Sequence, residues 1–92
     1  MLASKEASVR EAERNVGPFA WDENDGLSKE MCKPRRLETG GIYMGQFDVQ
    51  GLKSGRGIYV WDDGSKYIGY YDKGKATGKG RLIHVDGDIY EG

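Results

Sequence analysis

Cysteine, histidine and proline are nearly missing from this chain of 92 residues, which holds one, one and two of them. The lone cysteine, Cys32, excludes an internal disulfide and suits a reducing compartment. With a single histidine beside it, His84, there are too few ligands for a structural zinc site. No apolar run approaches the roughly 20 residues of a membrane-spanning helix. The N-terminus has no apolar signal core, and its Glu6, Glu11 and Glu13 are foreign to an organelle transit peptide, so the chain is expected on the cytoplasmic side. A surplus of charge is missing too. The net charge of -1, with both signs balanced in each half, argues against a dedicated nucleic-acid binder.

Glycine and tyrosine are abundant and unevenly placed. Thirteen of the fifteen glycines and all six tyrosines follow residue 38. The boundary divides the chain into an N-terminal arm, residues 1–35, and a repetitive region, residues 36–92. Within the repetitive region a single pattern recurs. Gly41-Ile42-Tyr43-Met44-Gly45-Gln46-Phe47 is answered by Gly55-Arg56-Gly57-Ile58-Tyr59-Val60-Trp61. Ser65-Lys66-Tyr67-Ile68-Gly69-Tyr70-Tyr71 is answered by Gly78-Lys79-Gly80-Arg81-Leu82-Ile83-His84, and a third copy opens at Asp88-Ile89-Tyr90-Glu91-Gly92. Gly55 to Gly78, Gly64 to Gly87 and Tyr67 to Tyr90 are 23 residues apart, whereas Tyr43 to Tyr67 is 24. One extra residue therefore lies between Phe47 and Gly51, and a fixed period with a single insertion marks a repeat architecture.

Each copy reads as two strands, with reversals at Glu38-Thr39-Gly40, Asp62-Asp63-Gly64 and Val85-Asp86-Gly87. Asp-Gly between alternating segments predicts type I′ hairpin turns. Strand alternation places Tyr43, Gly45 and Phe47 on one face, with Tyr67, Gly69 and Tyr71, and with Gly57, Tyr59 and Trp61. Gly80, Leu82 and His84 join that face, His84 in the repeat position of Leu37 and Trp61. The other face takes Ile42, Met44, Ile58, Val60, Ile68, Tyr70, Ile83, Val85 and Ile89. A hairpin of this kind cannot bury its face alone, so successive copies stack into a solenoid. Residues 4–14 have helix-forming composition with Ser4 as N-cap, but a thin apolar stripe. Phe19 and Trp21 stand out in the polar arm. They either fold back on the sheet or anchor the arm on another protein.

The matched positions, Tyr43, Gly45, Phe47, Gly55, Gly57, Trp61, Gly64, Tyr67, Gly69, Tyr71, Gly78, Gly80, Gly87, Tyr90 and Gly92, resemble the MORN (membrane occupation and recognition nexus) repeat. The resemblance covers residues 40–92 and leaves 1–35 unmatched. It departs from the pattern at Thr39 and at His84, which replaces an aromatic residue. The resemblance implies an all-β fold, a short solenoid of antiparallel hairpins forming an elongated, groove-like sheet. It also implies a protein- or membrane-facing surface without chemistry of its own, as in cytoskeletal and axonemal scaffolds and in appendages of phosphoinositide kinases.

Nothing in the residues argues for catalysis or a cofactor. His84 lacks a nucleophile or acid partner. Gly55-Arg56-Gly57 and Gly78-Lys79-Gly80 open strands, whereas a phosphate loop opens a helix. The candidate partner-binding residues are Phe19 and Trp21 in the arm and, on the aromatic face, Tyr43, Phe47, Tyr59, Trp61, Tyr67, Tyr71, His84 and Tyr90. Arg56, Lys73, Lys75, Lys79 and Arg81 form a candidate basic ridge, either solvated loop charge or a seat for an acidic partner or anionic phospholipid. The array stops within its third copy, which predicts an edge covered by further chain or by another subunit. The expectation is a non-catalytic accessory module of a larger protein assembly in the cytoplasm, cytoskeleton or cilium, with no nucleic acid and no small-molecule substrate. The alternative is a targeting appendage of an enzyme such as a phosphoinositide kinase, or an anionic-membrane tether.

Overall fold

The 23-residue period is a hairpin period. A computed structural model describes residues 2–27 and 30–92. It contains one helix, α1 (Ala7–Val16), and strands β1 (Arg35–Arg36), β2 (Ile42–Phe47), β3 (Lys53–Val60), β4 (Lys66–Asp72), β5 (Lys75–Ile83) and β6 (Ile89–Glu91). The strands form one antiparallel sheet in chain order, so the fold is all-β and each strand pairs only with its sequence neighbours. Such a meander follows from the short connections, since an antiparallel pair needs only a tight turn.

The turns differ from the expected type. The Gly40, Gly64 and Gly87 N–H groups donate to the carbonyls of Leu37, Trp61 and His84, at 3.0, 3.0 and 2.8 Å. Gly40, Gly64 and Gly87 have positive φ, at 99°, 101° and 96°, whereas the two residues before each do not; in the first reversal the paired end Gly41 is also positive, at 79°. Three residues separate the paired ends Trp61 and Ser65, and likewise His84 and Asp88. The loop is thus a type I turn closed by a glycine bulge, not type I′. Asp63 and Asp86 support it by accepting the Ser65 and Asp88 N–H groups at 2.8 and 2.9 Å. The two-residue loop with positive φ at both positions is Lys73-Gly74, between paired Asp72 and Lys75. Its counterpart in the first repeat is the three-residue loop Val49-Gln50-Gly51, closed by Asp48 and Leu52. That is the extra residue of the 24-residue spacing.

The sheet bends where each answering strand begins. Register slips between Gly45 and Phe47 on β2 and between Gly69 and Tyr70 on β4, opposite Gly55 and Gly78, which take φ of 84° and 62°. The second glycine of each Gly-x-Gly has another task. Gly45, Gly57, Gly69 and Gly80 lie side by side on successive strands, and Gly80 exchanges both backbone hydrogen bonds with Gly92. One glycine per strand makes a furrow straight across the sheet.

The arm covers the face opposite the furrow's aromatic rings. Leu2 packs with Ile58, Val60 and Ile68, and Phe19, Trp21, Met31, Ile42 and Met44 surround them. Val9 of α1 and Ile83 of β5 are fully buried. The helix starts at Ala7 rather than near Ser4. Ser4 is instead buried against a turn, where its Oγ donates to the Gly64 carbonyl and accepts the Glu6 N–H at 3.1 Å. Glu6 takes the N-cap position without a side-chain capping bond, and the helix runs on to Val16, where Gly17 ends it with φ 84°. Its tertiary contacts supply what its weak stripe does not.

Candidate interaction surface

The furrow explains why the motif is Tyr-x-Gly. In an extended strand a tyrosine and the residue two places on share a face, so the ring can lie down only if that residue and its cross-strand neighbour lack Cβ. Tyr43 lies over Gly45 and Gly57 and donates from its hydroxyl to the Gln46 carbonyl at 2.8 Å. Tyr67 lies over Gly69 and Gly80 and donates to the Tyr70 carbonyl at 3.3 Å. The rings continue edge to face: Phe47 to Tyr43 at 5.1 Å, Tyr43 to Tyr71 at 5.6 Å, Tyr71 to Tyr67 at 5.5 Å. Each such pair adds about 0.5–1.5 kcal/mol beyond burial. Tyr59 meets Trp61 at 4.8 Å and donates to the Gly40 carbonyl at 2.6 Å. The Lys53 ammonium sits 5.7–5.8 Å from the ring centres of Tyr43, Tyr59 and Tyr71. Burial pushes the phenols of Tyr43 and Tyr71 well above their usual range, so they remain neutral.

This face therefore has a floor and a rim. Tyr43 is fully buried and Tyr71 nearly so, while Trp61 and Tyr90 are 40 % and 58 % exposed. The expected aromatic residues do share one face, but Tyr43 and Tyr67 support it from below, and Trp61 and Tyr90 offer the accessible surface. His84 lies exposed at the last turn, its Nδ1 3.1 Å from Asp86 Oδ1. The Asp86 carboxyl is held below its usual range, first by the Asp88 N–H.

The other face carries a cation on each of its three long strands. Arg56, Lys66 and Arg81 alternate in phase with Ile58, Ile68 and Ile83, so they point toward the arm, and all three are buried. Arg56 Nε donates to Asp25 Oδ2 at 2.9 Å and its Nη2 to the Asp22 carbonyl at 3.2 Å. Tyr70 donates to the same Asp25 oxygen at 2.6 Å and accepts the Asp22 N–H at 2.9 Å. The Arg56 guanidinium, with help from Tyr70 and the Leu27 N–H, holds the Asp25 carboxyl down at about 2. Lys66 Nζ donates to the Leu2 carbonyl at 2.6 Å and to Glu13 at 2.8 Å. Arg81 donates to the Gly17 carbonyl at 2.8 Å and to Glu91 at 2.9 Å.

Two members of the expected basic ridge are thus not on it. Arg56 and Arg81 face the arm because strand alternation turns them inward, and only Lys73, Lys75 and Lys79 remain exposed. Phe19 and Trp21 lie against the sheet. Trp21 meets Tyr70 edge to face at 5.4 Å under the Arg56 guanidinium, and Phe19 lies beneath Arg81 and Lys79. Alternation was the available signal for the cations, since Arg56, Lys66 and Arg81 sit two residues before Ile58, Ile68 and Ile83.

An open single sheet of successive hairpins, with Tyr43 and Tyr67 each laid over paired glycines, defines a β-hairpin repeat protein. The family model for the MORN repeat matches residues 43–66 and 67–89, and the chain belongs to the MORN repeat family. Over 56 residues, 61 % of the chain, it is 42 % identical to a protein of Oryza sativa subsp. japonica named phosphatidylinositol 4-phosphate 5-kinase 1. That stretch is 7 % of the rice protein, so the chain spans a small part of this relative's length. No helix among the described residues is long and apolar enough to cross a membrane.

Proposed function

We propose that this chain is a non-catalytic interaction module, an accessory piece of a larger cytoplasmic or cytoskeletal assembly, that seats a segment of a partner protein on its aromatic face. The observation that carries this reading is the unequal treatment of the two faces. The arm fills one with apolar side chains and buried ion pairs, and the other keeps Trp61 and Tyr90 exposed beside a rigid row of rings. Exposed aromatic residues on a preorganised floor are what interface hot spots are made of. Phe19 and Trp21, proposed partner contacts on sequence grounds, serve this function indirectly by closing the first face.

The test is tagged purification of the native protein beside its Trp61→Ala and Tyr90→Ala variants. Neither side chain is buried, so melting should stay within a few degrees of wild type while the stoichiometric partner is lost. Full retention of the partner by both variants would refute the assignment.

A second reading has a specific support, the likeness to the rice kinase. Here the module is an appendage that targets or regulates an enzyme, with Lys73, Lys75 and Lys79 drawn toward anionic lipid. Three exposed lysines supply about 3 kcal/mol at an anionic surface and lose it to screening. Flotation with anionic vesicles that vanishes at high salt supports this reading, and absent flotation at low salt removes the lipid component of it.

A further inference from the structure

Where the arm crosses the sheet it does not seal it completely. A cleft of about 570 Å3 remains, with Ile58 and Ile68 as floor and Phe19 and Trp21 as walls. Its mouth is charged, formed by Arg10, Glu13 and Arg14 of α1. Glu13 is already committed to Lys66 at 2.8 Å. Arg10 spends one nitrogen on the Ser4 carbonyl at 2.9 Å. Arg14 has no hydrogen-bond or ion-pair partner among the described residues. The mouth therefore carries uncompensated positive charge over an apolar interior.

Size and charge together select the occupant. The volume lies within the roughly 300–1,000 Å3 of small-molecule sites. Two turns of a helix about 10 Å across displace roughly 800 Å3, so a partner helix does not fit without moving the arm. An alkyl chain does fit, and a guanidinium pair is the natural receiver of a carboxylate. We infer that this cleft binds a single-chain amphiphilic anion, a medium- or long-chain carboxylate. Its alkyl chain lies along Ile58, Ile68, Phe19 and Trp21, and its head group lies between Arg10 and Arg14. The site is separate from the aromatic face, so it stands or falls independently of the partner reading.

Trp21 reports on the cleft directly. A Trp61→Phe chain has Trp21 as its one tryptophan. Titrating it below micellar concentration with dodecanoate should give a saturable shift of Trp21 emission and one site by calorimetry, and dodecylammonium should give neither. Arg14→Glu changes a side chain with no internal bond, so it should fold normally and weaken dodecanoate binding by about tenfold or more, the worth of one charge-assisted hydrogen bond. Ala3→Phe, which puts a ring into the cleft, should abolish binding with unchanged circular dichroism. Equal binding of the cation and the anion, an Arg14→Glu variant that binds as wild type, or a signal with anionic phospholipid vesicles but not with free dodecanoate would each overturn the proposal.

Discussion

Adding one methyl group at Gly57 should unfold this protein at a markedly lower temperature. Gly57 lies in the middle of β3 without positive φ, so alanine there is a question of space alone. The new Cβ would lie 2.7 Å from Tyr43 Cε1 and Oη and 2.9 Å from Tyr71 Cδ2. Neither ring has room to retreat. Tyr43 is fully buried, tied by its hydroxyl to the Gln46 carbonyl and wedged between Phe47 and Tyr71. Overpacking of this kind costs about 1–3 kcal/mol. In a chain of this size each kcal/mol shifts Tm by about 4–8 °C, so Gly57→Ala should melt roughly 5–20 °C below wild type by calorimetry. The same change in a Tyr43→Leu background should cost less, with a coupling of about 0.5–3 kcal/mol, because the closer of the two clashing rings is gone and Tyr71 gains room to move. A Gly57→Ala protein melting within about 2 °C of wild type would refute the packing account of the furrow.

Other consequences concern the arm. Lys66→Ala leaves the Glu13 carboxylate and the Leu2 carbonyl without their partner. Breaking a buried pair costs about 3–5 kcal/mol, and the low end applies because Glu13 is 21 % exposed. The urea midpoint should fall accordingly and protease should cut the arm first; a midpoint unchanged within error would contradict the latch. Asp25 gives a pH signature. Its carboxyl titrates at about 2 in the fold against an ordinary 3.8, so its contribution is complete above about pH 4 and is lost as pH falls through 2. The stability difference between wild type and Asp25→Asn should therefore be constant above pH 4, shrink between 4 and 2, and close below 2. A difference that does not change across that range would show that the Arg56–Asp25 pair does not hold the arm.

Much of the repeat region was legible because its constraints are local and written twice. Tyr-x-Gly fixes which ring lies over which glycine, and the spacing of 23 against 24 residues marks the longer loop. The turn departs from the expected type for a physical reason. Asp63-Gly64 looks like the centre of a two-residue turn, but Asp62 also belongs to the loop, and Asp63 spends its carboxylate on the Ser65 N–H while staying out of the left-handed region. The arm was the least legible segment. Its helix has too weak a stripe to declare a docking face, and its hold depends on pairs such as Glu13 with Lys66, which are 53 residues apart. Arg56 reads as a loop cation because it lies inside Gly55-Arg56-Gly57, and Arg81 joins the ridge although it stands outside the loops. Counting alternation back from Ile58 and Ile83 turns them inward, Arg56 to Asp25 of the arm and Arg81 to the Gly17 carbonyl of the arm and Glu91 of β6.

With one face of the sheet closed by the arm, the aromatic face is the proposed seat for a partner. Hydroxyl-radical footprinting of the tagged protein, free and in its native assembly, tests it most directly. Free protein should label strongly at Trp61 and Tyr90 and weakly at Tyr43, Val9 and Ile83. In the assembly, protection should appear at Trp61 and Tyr90 with Phe19 and Trp21 unchanged. Stronger labelling of Phe19 and Trp21, with Trp61 and Tyr90 left open, would mean that the partner displaces the arm and takes the opposite face.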